Sequence, residues 1–380
     1  MAKRRANNEG TIYQLPSGSW RAQVSVGGQR LSHTAKTQKE IREWVKKTVG
    51  QVDQGLTYES TRTRFGDFVD DWLANKSTTI RPRSFEQYRR VVKLHVKPCF
   101  GEVKLKDVTP AKIQSVYNRM QAEGIGVSTI ELLHIVIHQV LDHAQLLGLV
   151  TRNSADAVIV PAQRTQEMSV WSEEQVAGFL VSVRGNRLEP LLQLALATGM
   201  RRGELTGLKW IDIDWGRKTI YVRRQVYHPE GGGWAFQPPK SERGVRTVQV
   251  GDGIIASLRK QYNETIPIMR SMSGDKWQEN DLVFPSTIGT PLWGHSLSTE
   301  FTKLIRKSGL SEIRFHDMRH TAASLMLNHG IPPVVVATIL GHSLAMLMDR
   351  YAHYIPGHGE GAALLMDELT SPISIDIPTK

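Results

Sequence analysis

Near its start the chain alternates polar and apolar positions at period two in three short runs, Thr11 to Gln14, Ser19 to Val26 and Gln29 to His33. Pro16-Ser17-Gly18 separates the first two, and Gly27-Gly28 turns the chain into the third, the residues expected where hairpins reverse. The period then changes. Thr37 stands where a helix cap belongs, ahead of Gln38-Lys39-Glu40, and Ile41, Trp44, Val45 and Val49 fall on one face at helical spacing. A three-stranded sheet with one helix is predicted, and a basic linker, "YESTRTR", leads out of it. From Phe65 to about Val158 every segment has helical spacing: "RFGDFVDDWLANK", "RPRSFEQYRRVVKLHVKPCFG", "TPAKIQSVYNRMQAEG" and "VSTIELLHIVIHQVLDHAQLLGLV". Each ends near Gly, or where Pro disrupts the pattern. A second linker, "VIVPAQRTQEMS", opens a third region, which starts a helix at "SEEQV", passes through a β-hairpin stretch and returns to helices until about Ile355. Beyond it, Ala362 to Leu369 forms one short amphipathic piece before an acidic, proline-containing tail.

Composition narrows what such a chain does. With 380 residues it is long enough for two or three domains, and 40% hydrophobic with 22% charged residues describes an ordinary soluble protein. Cys99 is the sole cysteine, so an intrachain disulfide and a thiolate metal cluster are excluded. Met1 to Gly10 is charged and polar, without the apolar stretch of a signal peptide, and runs such as "LLQLALATGM" are too short to span a bilayer. A soluble protein of a reducing, intracellular compartment is expected. The net charge of +11 points to a polyanionic partner. From Met1 to Arg64 there are 12 Lys and Arg against 5 Asp and Glu, so the excess is concentrated at the N-terminal sheet. Basic residues with Tyr13 and Trp20 on a small sheet suit insertion into a DNA groove.

Candidate chemistry lies mainly in the third region. His134 and His138 have the i,i+4 spacing of a zinc pair, but no Glu follows His134, so the metalloprotease pattern fails and surface or backbone-facing histidines are expected. In "LALATGMRRGELTGLKWIDI" an apolar helix ends at Gly199 and places Arg201, Arg202 and Glu204 at a turn between helices. "TIYVRRQVYHPEGGGWAFQPPKSERGVRTVQV" reads as three strands, with Lys240 near the turn between the last two. "IRFHDMRHTAASLML" puts His316 and Arg319 one helical turn apart, on the same face. Lastly, "LGHSLAMLMDRYAHYIP" carries His342 and, nine positions on, Tyr351. A free tyrosine with a pKa of about 10 is ionised in roughly one molecule per thousand at neutral pH, so a nucleophilic tyrosine needs partners elsewhere.

Taken singly, each cluster has a structural explanation; taken in order, they resemble the tyrosine recombinase, or phage integrase, family. Its signature is an Arg in "TGxRxxEL", a Lys on a β-hairpin, "HxxRH", "LGH" and a closely following Tyr, matched by "TGMRRGEL", Lys240, "HDMRH", "LGH" and "DRYAH". The motifs span about Ser169 to Pro356, and "GLVTRNSADAV" is similar to the family's "GLIxxNPAxxV" with Ser154 in place of proline. The basic N-terminal sheet and helix resemble the arm-site-binding domain of lambda-type integrases. The resemblance implies a multidomain fold, mainly α with small β-sheets. Residues 1–64 would form an arm-type DNA-binding domain with its linker, 65–160 a helical core-binding domain, 168–356 an α+β catalytic domain and 357–380 a C-terminal tail.

The resemblance also implies a reaction. Arg201 and Arg319 would hold the non-bridging oxygens of a scissile phosphate, a task suited to a planar guanidinium. Lys240 would protonate the departing 5′ oxygen, His316 would accept or share the tyrosine proton, and His342 would hydrogen-bond the phosphate. Tyr351 would attack phosphorus and leave a 3′-phosphotyrosyl link, while Glu204 buttresses the arginines. Neither a metal nor another cofactor is required, since the covalent link retains the energy of the broken phosphodiester. Arg201 is preferred over Arg202 because the family's arginine follows "TGM" directly. One departure stands out: Met346 and Leu347 occupy positions where family members commonly have Thr or Ser. The expected partners are double-stranded DNA at core-type and arm-type attachment sites, three further copies in a tetramer on a Holliday junction, a DNA-bending host factor and an excision factor, with no membrane. The expected compartment is the bacterial cytoplasm, at the nucleoid. Two other readings share these residues, a type IB topoisomerase acting on one duplex and a non-catalytic DNA-binding protein of the same fold.

Overall fold

The computed structural model describes residues 10–26, 29–53, 62–162 and 168–355, together with Met366. The Gly27-Gly28 turn, the first part of the "YESTRTR" linker, the middle of the second linker, the amphipathic piece Ala362 to Leu369 apart from Met366, and the acidic tail lie outside the described residues. The chain divides into two compact units, Met1–Thr165 and Gln166–Lys380.

In the first unit β1 (Thr11–Gln14), β2 (Trp20–Val26) and β3 (Gln29–Ala35) form an antiparallel meander in that order. The third strand runs two residues beyond the predicted end, because Thr34 and Ala35 still pair with Arg21 and Trp20. Helix α1 (Gln38–Asp53) begins as predicted at Thr37, in a reciprocal box: the Glu40 amide donates to Thr37 Oγ1 and the Thr37 amide to Glu40 Oε2, both at 3.3 Å. Its Ile41 and Val45 pack on Ala22 and Val24 to make a small core. A second core belongs to the helices α2 (Phe65–Lys76), α3 (Pro82–Val91), α4 (Lys97–Phe100), α5 (Pro110–Ala122) and α6 (Val127–Leu146). Between α3 and α4 the segment Val92–Val96 is π-helical, so Pro82 to Phe100 is one uninterrupted helical run. Pro98 has no amide hydrogen for the carbonyl four residues back; the turn before it widens and the helix continues.

His134 and His138 of α6 have side-chain partners within the first unit. His138 lies between Asp156 (2.9 Å) and Asp142 (3.3 Å), and His134 Nδ1 meets the Tyr117 hydroxyl at 3.2 Å. Among the described residues there is no cluster of metal-ligating side chains, and no helix is long and apolar enough to cross a membrane.

The second unit opens with α7 (Glu173–Ser182), capped by Ser172 and Gln175, then α8 (Glu189–Thr198) and the single turn α9 (Arg202–Thr206). The three strands expected between Thr219 and Val250 are four, divided over two sheets. β4 (Ile213–Asp214), β5 (Thr219–Val222) and β8 (Arg246–Gln249) form one, while β6 (Gln225–Tyr227) and β7 (Ala235–Gln237) form a separate hairpin. The break falls at Arg223 and Arg224, which both bind the buried Asp212 carboxylate. Neighbouring residues of a strand point to opposite faces, so two consecutive arginines reach one carboxylate only if the strand ends there. Helices α10 (Asp252–Lys260) and α11 (Ile266–Ser273) are joined through a π-helical segment, Gln261–Thr265, again just before a proline, Pro267. The unit closes with α12 (Gly294–Ser308), α13 (Asp317–Asn328), α14 (Pro333–Leu340) and α15 (Leu344–Tyr351). Helix α13 is buried almost all round, including the run of small residues Thr321 to Ser324.

Candidate active site

Two helices of the second unit stop abruptly at glycines in the left-handed region, and the site is built on those ends. Helix α8 ends at Gly199 (φ +61°) and α14 at Gly341 (φ +67°). Both ends leave carbonyls without helical partners, and Arg319 takes them: Nη1 donates to Gly199 O at 2.7 Å and Nη2 to Leu340 O at 2.5 Å. A guanidinium buried in α13 is thus compensated by the negative ends of two helix dipoles. Burial, with Arg201 beside it, pushes its pKa below the usual arginine range. The same Nη2 lies 2.7 Å from His342 Nε2, so that nitrogen accepts and the imidazole proton sits on Nδ1, a buried atom without a hydrogen-bond partner.

Arg201 follows the Gly199 turn directly. Its amide donates to Glu204 Oε2 and its Nη1 to Oε1, both at 2.9 Å, which fixes the side chain at the mouth of α9. Arg202 points elsewhere, donating to Gly294 O (2.9 Å) and Ser298 Oγ (2.5 Å) on α12. Of the two adjacent arginines, Arg201 is therefore the one that shares a cluster with Arg319. Glu204 is 1% exposed, and burial by itself would raise its pKa; the charge and hydrogen bonds of Arg246, then those of Arg201, outweigh burial and hold the carboxyl below its ordinary value.

Tyr351 ends α15 with its side chain fully buried among Ala323, Leu327, Val336, Leu340 and Leu347. Its hydroxyl is hydrogen-bonded to His320 Nδ1. Burial raises the tyrosine pKa in spite of Arg319 and Arg350, so the hydroxyl carries its proton and His320 accepts. His316 stands one turn earlier, its ring 5.3 Å from that of His320 and perpendicular to it. Desolvation by the surrounding protein, together with His320, Arg319 and Arg201, lowers the His316 pKa to about 4. His342 is lowered further, to about 3, by burial and the Arg319 and Arg201 charges. Both rings are neutral at pH 7.

Lys240 is exposed on the segment between β7 and β8, next to Pro239, which packs on Gly244. The departure at Met346 and Leu347 divides in two: Met346 is exposed, and Leu347 is a core residue whose methyl groups fill the space beside Ala323 and Leu327. Tyr354 is half-buried against the same cluster. Two residues of the site are absent from the sequence-based set. His320 was visible as the last letter of "HDMRH", four residues after His316, and Arg246 as a charged residue on the face of β8 that also carries Val248.

The arrangement offers a cluster of guanidinium groups and neutral imidazoles beside a protonated tyrosine, a set suited to a phosphodiester and a nucleophile. Comparison with known proteins agrees with that chemistry. Residues 173–358 match the profile described as the phage integrase family, and residues 64–121 that of the phage integrase N-terminal SAM-like domain. A tyrosine recombinase XerC-like protein of Caldanaerobacter subterraneus is 25% identical over 92% of this chain and 96% of its own length. A Tn1549 transposon integrase solved in complex with a circular intermediate DNA superposes with a TM-score of 0.69 at 19% identity, covering 81% of this chain and 99% of that one. A lambda integrase solved as a tetramer bound to a Holliday junction gives a TM-score of 0.57 at 17% identity, over 90% of this chain and 96% of that one. With both family profiles matched in order, and a full-length relative named for the same activity, the chain belongs to the tyrosine recombinase, or phage integrase, family.

Proposed function

We propose that this chain is a site-specific DNA integrase that breaks and rejoins strands through a 3′-phosphotyrosyl intermediate. Arg201 and Arg319 bind the scissile phosphate and stabilise the charge that builds on its oxygens. Tyr351 attacks phosphorus through its hydroxyl oxygen; the P–O5′ bond breaks as the Tyr–O–P bond forms. The tyrosine proton passes to histidine, His320 in the resting arrangement and His316 next to it, and Lys240 protonates the departing 5′ oxygen. His342, neutral at working pH, hydrogen-bonds the phosphate through Nε2 in the tautomer that carries the ring proton there, in place of the resting one in which Nε2 accepts from Arg319, and Glu204 orients Arg201. Attack by the 5′ hydroxyl of a second duplex reverses these steps and joins the new strand. The observation that carries the reading is the approach of Arg319 to His342 at 2.7 Å, beside Arg201 and a tyrosine whose hydroxyl is already held by a histidine.

Residues 65–160 and 168–356 would grip core-type sites, and the basic sheet of residues 1–64 would grip arm-type sites, in the manner of a lambda-like integrase. Four copies act together, since two duplexes present four strands and exchange passes through a Holliday junction. A DNA-bending host factor and an excision factor set direction, and the protein works on the nucleoid in the bacterial cytoplasm. A duplex nicked near the cleavage position tests the chemistry: a covalent protein–DNA band is expected, lost in Tyr351→Phe and kept in Tyr354→Phe, and the reverse pattern overturns the assignment. Two short duplexes that yield recombinants distinguish an integrase from a topoisomerase, for which relaxation without recombinants is the outcome.

A further inference from the structure

On the recombinase reading above, we propose that Arg246 is the positioning residue that holds the Arg201, Lys240 and His342 segments in register. Its side chain is 4% exposed, and its guanidinium touches all three. Nη1 and Nη2 donate to Glu204 Oε1 and Oε2 at 3.2 and 3.0 Å, and Glu204 in turn holds Arg201. Nη1 also donates to Gly244 O at 3.0 Å, the end of the loop that follows Lys240. Nε donates to Ile339 O at 2.5 Å, in the last turn of α14 ahead of Gly341 and His342. The loop and the "LGH" turn meet directly, for a Cβ on Gly341 would lie 2.7 Å from Arg243 O and 3.3 Å from Arg246 Cδ.

The bidentate pair has a consequence for Arg201. With Arg246 occupying both carboxylate oxygens, Glu204 holds Arg201 through one side-chain hydrogen bond at 2.9 Å, and the remaining guanidinium N–H groups stay available for a phosphate. Without Arg246 the buried carboxylate has Arg201 as its only cation among these contacts and draws it inward, away from the substrate. A lysine supplies the charge but has no planar fork, so it satisfies at most part of the set.

Single-turnover cleavage of the nicked duplex at saturating protein provides the test, with Arg246→Gln and Arg246→Lys compared on a normal 5′-oxygen strand and on one with 5′-sulfur at the bond that breaks. Sulfur leaves without protonation, so it reports on the Lys240 arm alone. Expected is a loss of about 100-fold for Arg246→Gln, the size that follows from misplacing reacting groups by about 1 Å, with a smaller loss for Arg246→Lys and duplex affinity within about threefold. The sulfur strand is expected to recover part of each loss. Cleavage at the wild-type rate in both variants, or cleavage and affinity falling together, overturns the proposal; no recovery on sulfur removes Lys240 from it. Should Arg246→Gln fail to fold, Arg246→Lys decides. Absence of a Tyr351-dependent adduct in the wild-type protein would instead overturn the recombinase reading itself.

Discussion

His316 and His342 show how single side chains tie the site to pH. Both pKa values lie well below that of an unfolded histidine, at about 4 and about 3. Between pH 6.5 and those values the unfolded chain binds protons that the native chain refuses, so stability is fully present above about pH 6.5 and declines as pH falls through that window. The decline levels off once the native rings are protonated as well. A melting series from pH 7 to pH 4 is expected to show a falling midpoint, and the His316→Asn/His342→Asn variant a flatter curve; parallel curves would remove these histidines from the account. At this scale much was legible. Each motif residue was named from its neighbours in sequence, because "TGxR", "HxxRH" and "LGH" are local patterns. His320 and Arg246 were not named, since what distinguishes them is a partner far along the chain, Tyr351 for one and Glu204 for the other.

Among the elements, the left-handed glycines ending α8 and α14 place Arg201 and His342. Gly341 has a positive φ and no room for a side chain against Arg243 O, so two independent penalties oppose any substitution. Gly341→Ala is expected to lose more than about 1–2 kcal/mol of unfolding free energy, measured by denaturant titration, and to lower cleavage more than DNA affinity. A stable, fully active Gly341→Ala would show that the turn tolerates another path. Helices and the N-terminal strands were readable from their period. The hairpin region was not, because its division into two sheets depends on Asp212, a residue outside the strands that draws Arg223 and Arg224 to itself. Likewise the π-helical turns that carry two helices past Pro98 and Pro267 leave no mark in the hydrophobic period.

For the whole molecule the governing quantity is charge. The chain carries +11 overall, with 12 Lys and Arg against 5 Asp and Glu before Phe65. Six or more phosphate contacts would make duplex affinity fall about 10³-fold between 50 and 200 mM salt, which fluorescence anisotropy can follow. A drop below about tenfold would contradict phosphate neutralisation as the main source of affinity. The same titration on a variant lacking residues 1–64 is expected to give a shallower slope, since each lost contact removes its released counterions.

The sequence by itself determined the helices and the N-terminal strands, the family and most of the chemical inventory, because hydrophobic period, turn residues and short motifs are written in neighbouring positions. Only the tertiary structure decided which arginine of the adjacent pair faces Arg319, which histidine holds the Tyr351 hydroxyl and which cation neutralises Glu204. These are questions about contacts between segments far apart in the chain, and their answers come from burial: a charge taken out of water must find its partner wherever the fold brings one.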